Sequence, residues 1–109
     1  MVIDTSAVTA ILLQEAEARA LSEAIEGDPV RIMSAANWLE TQMVMQGRLG
    51  PQGGQISDTF FREARVELVP FDAMLAQAGL AAWQQFGKGR HPARLNLGDC
   101  FAYATAILR

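Results

Sequence analysis

Short runs of β-branched apolar residues alternate along the chain with longer stretches in which apolar positions recur every three or four residues. Val2 and Ile3 read as a short strand of a parallel sheet buried on both faces. Residues 6–14 read as a helix, which continues or restarts over 15–26. In that second stretch Ala16, Ala20, Leu21 and Ala24 form the expected apolar stripe, with Glu17, Arg19, Glu23 and Glu26 outside it. Gly27-Asp28-Pro29 is a stop. Residues 30–33 form a second strand, and Ser34 caps a helix from 35 to about 48. The glycine-rich stretch 49–54 reads as a break before a third helix, 55–64, with Ile56, Phe60 and Phe61 inward. Residues 66–69 make a third strand. Asp72 then caps a long helix from 73 to about 86, and a last helix starts near 97 and runs to the end. Short strands alternating with helices imply an α/β fold with a parallel sheet and right-handed crossovers.

Composition narrows this picture. Half of the 109 residues are hydrophobic, which suits one core and one domain, 1–109. A formal net charge of -3 excludes a general electrostatic binder of nucleic acid. Any polyanion must be held by a few basic residues or by bound cations. Cys100 is the single cysteine, so no intrachain disulfide forms, and a reducing, cytoplasmic setting is expected. The N-terminus lacks the basic start of a signal peptide, and no apolar stretch is long enough to span a bilayer.

Three acids carry the candidate chemistry. Asp4 falls at the carboxyl end of the first strand, beside a helix start, where open α/β sheets bind ligands. Taken alone, it reads better as part of a capped helix start. Glu40 lies on or at the edge of an apolar stripe, between Ala36 and Val44, where a charge is costly unless paired or bound to a cation. Asp99 follows Asn96 by three residues, which alone reads as a capping box. Together, one acid ends a strand, one lies inside a helix and one opens a helix. Carboxylates gathered in one crevice repel unless protonated or neutralised by metal. Hard divalent ions prefer such oxygen ligands, and they support phosphodiester hydrolysis.

Other chemistries find less support. His91 sits in a polar loop and receives no catalytic role. Cys100 reads as a small core residue. Gly-Lys-Gly-Arg at 87–90 is too short for a phosphate-binding loop of the P-loop kind. A haloacid-dehalogenase-like phosphatase needs a second Asp two residues after the first, where this chain has Ser6.

Four stretches carry a resemblance. They are Val-Ile-Asp-Thr-Ser-Ala at 2–7, Met-Ser-Ala-Ala-Asn-Trp-Leu-Glu at 33–40, Val-Glu-Leu-Val-Pro-Phe-Asp at 66–72, and the run from Gly87 to Ala104. In this order they resemble the VapC-like toxins of the PIN-domain family over essentially the whole chain. The resemblance implies a three-layer fold with a short parallel sheet flanked by helices. It implies a Mg²⁺- or Mn²⁺-dependent endoribonuclease of a type II toxin–antitoxin pair, neutralised by a VapB-like antitoxin. It carries the family's acidic site onto Asp4, Glu40 and Asp99, with Thr5, Ser6 and Asn96 as polar support. Members usually continue into another strand and a further acid, so the C-terminal strand is expected to be missing from this chain. The alternative is a non-catalytic, truncated module that dimerises and binds an antitoxin.

Two expectations concern partners. Lys88, Arg90 and Arg94, in the loop before Asp99, are expected to guide an RNA backbone toward the metal. Leu12, Leu13, Trp38, Met43, Met45, Phe60 and Phe61 exceed what a three-strand core absorbs. They point to a homodimer and to a groove for the antitoxin.

Overall fold

A computed structural model describes residues 1–87 and 96–109. Six helices and two strands are described: α1 (Thr5–Leu12), α2 (Ala18–Glu26), β1 (Ile32–Ser34), α3 (Ala35–Leu49), α4 (Pro51–Glu63), β2 (Glu67–Val69), α5 (Ala73–Phe86) and α6 (Leu97–Leu108). Strands β1 and β2 are parallel, with Ile32 opposite Glu67 and Ser34 opposite Val69. The expected first strand is reduced to one parallel bridge, Val2 with Ile32. Ile3 N donates to Ile32 O at 2.7 Å and Ile32 N to Met1 O at 2.9 Å. β1 therefore lies between the N-terminal segment and β2. The helices pack around this short sheet: α1 against α2 and α3, α3 against α4, and α5 against α6.

The core gathers Ile3, Val8, Ile25, Met33 and Phe61, with Trp38, Phe60 and Val66 packed against it. Buried hydroxyls are satisfied within their own helices: Thr41 donates to Asn37 O, Ser57 to Gly53 O and Thr105 to Phe101 O. Arg31 closes one end of the molecule. Its guanidinium donates to the carbonyls of Ile25 and Glu26 in the last turn of α2, of Asp28 just beyond it and of Ala64 after α4. A planar, fixed fork of donors suits carbonyls left free at helix ends.

Four local expectations are corrected. The first helix stops at Leu12 because Gln14 turns into the left-handed region, with φ 56°, and the chain restarts at Ala18. The inner stripe of α2 is Ala18, Leu21 and Ile25, whereas Ala16, Ala20 and Ala24 are exposed. Residues 51–54 are helical. Only Gly50, with φ 68°, breaks the run, and Pro51 starts α4 as its first residue. Gly53 and Gly54 are buried against α3: a β-carbon on Gly53 would lie 2.1 Å from Met45 O. Glycine there permits a close helix–helix approach. Met45 and Phe61, counted above as surplus, belong to the core, whereas Met43 is 67 % exposed. No helix among the described residues is long and apolar enough to cross a membrane.

Candidate active site

Asp4 leaves the sheet and caps α1. Its Oδ1 accepts from Ala7 N at 2.9 Å and from Ser6 Oγ at 3.0 Å. Asp99 sits in the first turn of α6, in a reciprocal capping box with Asn96. Asn96 Oδ1 accepts from Asp99 N at 2.9 Å, and Asp99 Oδ2 accepts from Asn96 N at 3.1 Å. The capping box of Asp99 therefore holds, and at the start of α1 the cap is Asp4 itself rather than Thr5 or Ser6. Capping also fixes the two carboxylates at helix N-termini, where the backbone dipoles favour negative charge. Each cap engages one carboxylate oxygen. Asp4 Oδ2 and Asp99 Oδ1 accept no hydrogen bond among the described residues.

Glu40 comes from the middle of α3 and is half-buried. Its carboxylate lies against the Cα of Gly98 in α6: a β-carbon there would meet Oε1 at 2.4 Å and Oε2 at 2.7 Å. Among the described residues no basic group pairs with Asp4, Glu40 or Asp99.

The three acids line one cavity of about 220 Å³, completed by Thr5, Ser6, Thr9, Asn96 and Gly98. Six residues nominated from the sequence thus meet in one place: Asp4, Thr5, Ser6, Glu40, Asn96 and Asp99. Lys88, Arg90 and Arg94 lie outside the described residues. A larger cavity of about 370 Å³, between α5 and α6, is lined by Phe71, Leu80, Trp83, Leu97, Cys100 and Phe101 among others, with no charged side chain among the described residues that line it. Burial, and secondarily the Asp99 charge, push the Cys100 thiol above its ordinary pKa, which leaves it an inert core group.

Among the described residues no three acids, histidines or cysteines are drawn together tightly enough to hold a metal ion by themselves. The donor set fits a hydrated ion instead. A hard divalent cation such as Mg²⁺ uses one or two carboxylates and keeps several waters. Hydroxyls of Thr5, Ser6 and Thr9 and the Asn96 amide border the same space.

Three residues of the site carry no assignment from the sequence, and the first is Thr9, whose hydroxyl borders the cavity. Gly98 leaves room for the Glu40 carboxylate. Asn37 is fully buried one helical turn before Glu40 and donates from Nδ2 to Thr5 Oγ1 at 3.3 Å and to Gly98 O at 3.1 Å. The available signal was a polar amide on the inward side of α3.

The acid-lined cavity thus draws on the starts of α1 and α6 and the middle of α3. Residues 1–109 match the PIN domain. The chain belongs to the PIN-domain family. This PIN domain is 51% identical over 106 residues to "Ribonuclease VapC" of Mycolicibacterium smegmatis, an alignment covering 97% of this chain and 82% of that protein. It is 47% identical over 106 residues to "Ribonuclease VapC30" of Mycobacterium tuberculosis, covering 97% and 81%. "Ribonuclease VapC42" of the same species is 39% identical over 107 residues. PIN-domain ribonucleases generally depend on a divalent metal, a dependence that this donor set suits.

Proposed function

We propose that this chain is the toxin of a type II toxin–antitoxin pair, an endoribonuclease that hydrolyses RNA phosphodiester bonds with Mg²⁺ or Mn²⁺. The supporting observation is that Asp4, Glu40 and Asp99, from three separate elements, line one cavity with no basic partner among the described residues. Relatives named ribonucleases along nearly the whole chain favour this reading over a non-catalytic module.

Asp4, Glu40 and Asp99 are the residues that would hold the ion. When bound, a divalent cation lowers the pKa of a water and offsets charge on phosphoryl oxygens. The caps on Asp4 and Asp99 orient one oxygen of each carboxylate and leave the other for the cavity. The Asn96 amide offers a donor to a phosphate at the cavity mouth, while the Thr5 and Ser6 hydroxyls, which donate to Asn37 O and Asp4 Oδ1, line the approach to it. Lys88, Arg90 and Arg94 guide the RNA backbone by charge. The partners are a VapB-like antitoxin and a second copy of the chain. The place of action is the cytoplasm. Exposed Leu39, Met43, Leu97 and Ile107 supply apolar surface for such contacts.

The test is cleavage of RNA by the purified protein. Activity abolished by a chelator and restored by Mn²⁺ supports the proposal. Cleavage indifferent to the chelator, or none with either ion, rejects it.

A further inference from the structure

Asn37 connects the three segments that carry the acids. Its Nδ2 reaches Thr5 Oγ1 at 3.3 Å and Gly98 O at 3.1 Å. Thr5 Oγ1 also donates to Asn37 O at 3.2 Å. Thr5 follows Asp4, Gly98 precedes Asp99, and Asn37 stands three residues before Glu40. One side-chain amide thus ties the start of α1 and the start of α6 to α3, at positions adjacent to two acids and one turn from the third.

The chemistry fixes the orientation of that amide. Only an N–H can face the Gly98 carbonyl, so the NH₂ must point there, and Oδ1 is carried to the other side. Oδ1 is buried and has no hydrogen-bond partner among the described residues. An unsatisfied buried acceptor weakens a fold, so packing alone favours an apolar residue of the same size. The two Nδ2 bonds have a different consequence. One ties Asn37 to Thr5 beside Asp4, and the other joins α3 to Gly98, whose Cα lies under the Glu40 carboxylate.

We infer that Asn37 is a positioning residue, whose amide holds Asp4, Glu40 and Asp99 in mutual register and thereby sets the affinity of the cavity for a divalent cation. The inference rests on the proposed metal-dependent reading of that cavity. Asn37 itself touches neither ion nor RNA. Supporting groups of this kind change metal affinity by about 10–100-fold.

The experiment compares the full chain with Asn37→Leu and with Thr5→Val. Mn²⁺ binding is titrated calorimetrically beside a thermal melt. Asn37→Leu keeps the branched outline of the side chain, though it is bulkier, and removes both the bridge and the orphaned acceptor. It is expected to stay folded, with the lost orphan offsetting part of the overpacking, while binding Mn²⁺ about 10–100-fold more weakly. RNA cleavage should then need correspondingly more Mn²⁺ to reach its plateau. Thr5→Val removes one arm of the bridge. It should shift Mn²⁺ affinity in the same direction, and it keeps the test available if Asn37→Leu does not fold. Wild-type Mn²⁺ affinity in a folded Asn37→Leu or Thr5→Val protein overturns the inference. A lowered melting temperature with unchanged Mn²⁺ affinity assigns Asn37 to stability alone and overturns it too. A wild-type chain that neither binds Mn²⁺ nor cleaves RNA removes the metal-dependent reading itself, and the inference falls with it.

Discussion

Gly98 and Glu40 are in direct opposition: a β-carbon on residue 98 would stand 2.4 Å from Glu40 Oε1. The obstructed atoms are the tip of a flexible side chain, so Gly98→Ala can be accommodated by swinging the carboxylate away. Alanine is also favoured over glycine inside a helix by about 1 kcal/mol. Stability should therefore stay within about 1 kcal/mol of wild type, while cleavage falls by about 100-fold through displacement of Glu40. A thermal melt run beside a single-turnover cleavage assay checks both halves. Unchanged cleavage would show that the placement of Glu40 is immaterial.

Asp4 and Asp99 combine a cap with a charge, and asparagine separates the two. Asn is as good an N-cap as Asp, so Asp4→Asn should preserve α1 and change stability by less than about 1 kcal/mol. Its RNA cleavage should drop by more than about 100-fold, beyond the effect of losing a supporting group. Asp4→Ala should add a stability loss of about 1 kcal/mol, because the bond to Ala7 N goes as well. Denaturant titrations of the two variants measure the difference.

Much of the site is legible because its acids carry local signatures. Asp4 and Asp99 sit at helix starts, which capping chemistry reveals, and Glu40 intrudes on a helical stripe. Asn37 and Gly98 are not legible, since their roles exist only once α1, α3 and α6 meet. The start of α4 was misplaced for the same reason. Gly53 and Gly54 look like a loop locally, yet they serve the contact with α3. The stripe of α2 was set out of phase because alanines fit either face of a helix, and Ile25 decides which face is buried.

That helix contact yields its own expectation. A β-carbon on Gly53 would meet the Met45 backbone carbonyl at 2.1 Å, which cannot swing aside. Gly53→Ala should destabilise the fold by about 3 kcal/mol. Gly47→Ala, with nothing within 4 Å of its added carbon, should gain up to about 1 kcal/mol. Opposite shifts in urea midpoint are the expected readout.

Cys100 gives a pH dependence. Burial raises its pKa in the folded chain, so the unfolded chain loses the thiol proton first. Its contribution to stability is fully present below the ordinary thiol value of the unfolded chain. Above that value the folded state holds more protons than the unfolded state, so stability falls as pH rises toward the folded pKa. Unfolding titrations at neutral and at alkaline pH should show a decline that Cys100→Ala lessens. The native thiol should resist alkylation until the chain unfolds.

The most direct measurement is RNA cleavage by wild type and Glu40→Gln across a Mn²⁺ titration, with a chelated control. Glu40 accepts no hydrogen bond and forms no ion pair among the described residues, so Glu40→Gln tests the charge and little else. Metal-dependent cleavage by wild type, nothing after chelation, and a loss of more than about 100-fold in Glu40→Gln is the expected result. Equal cleavage by the two proteins, or cleavage that persists in the chelator, contradicts an acidic, metal-dependent ribonuclease site at Asp4, Glu40 and Asp99.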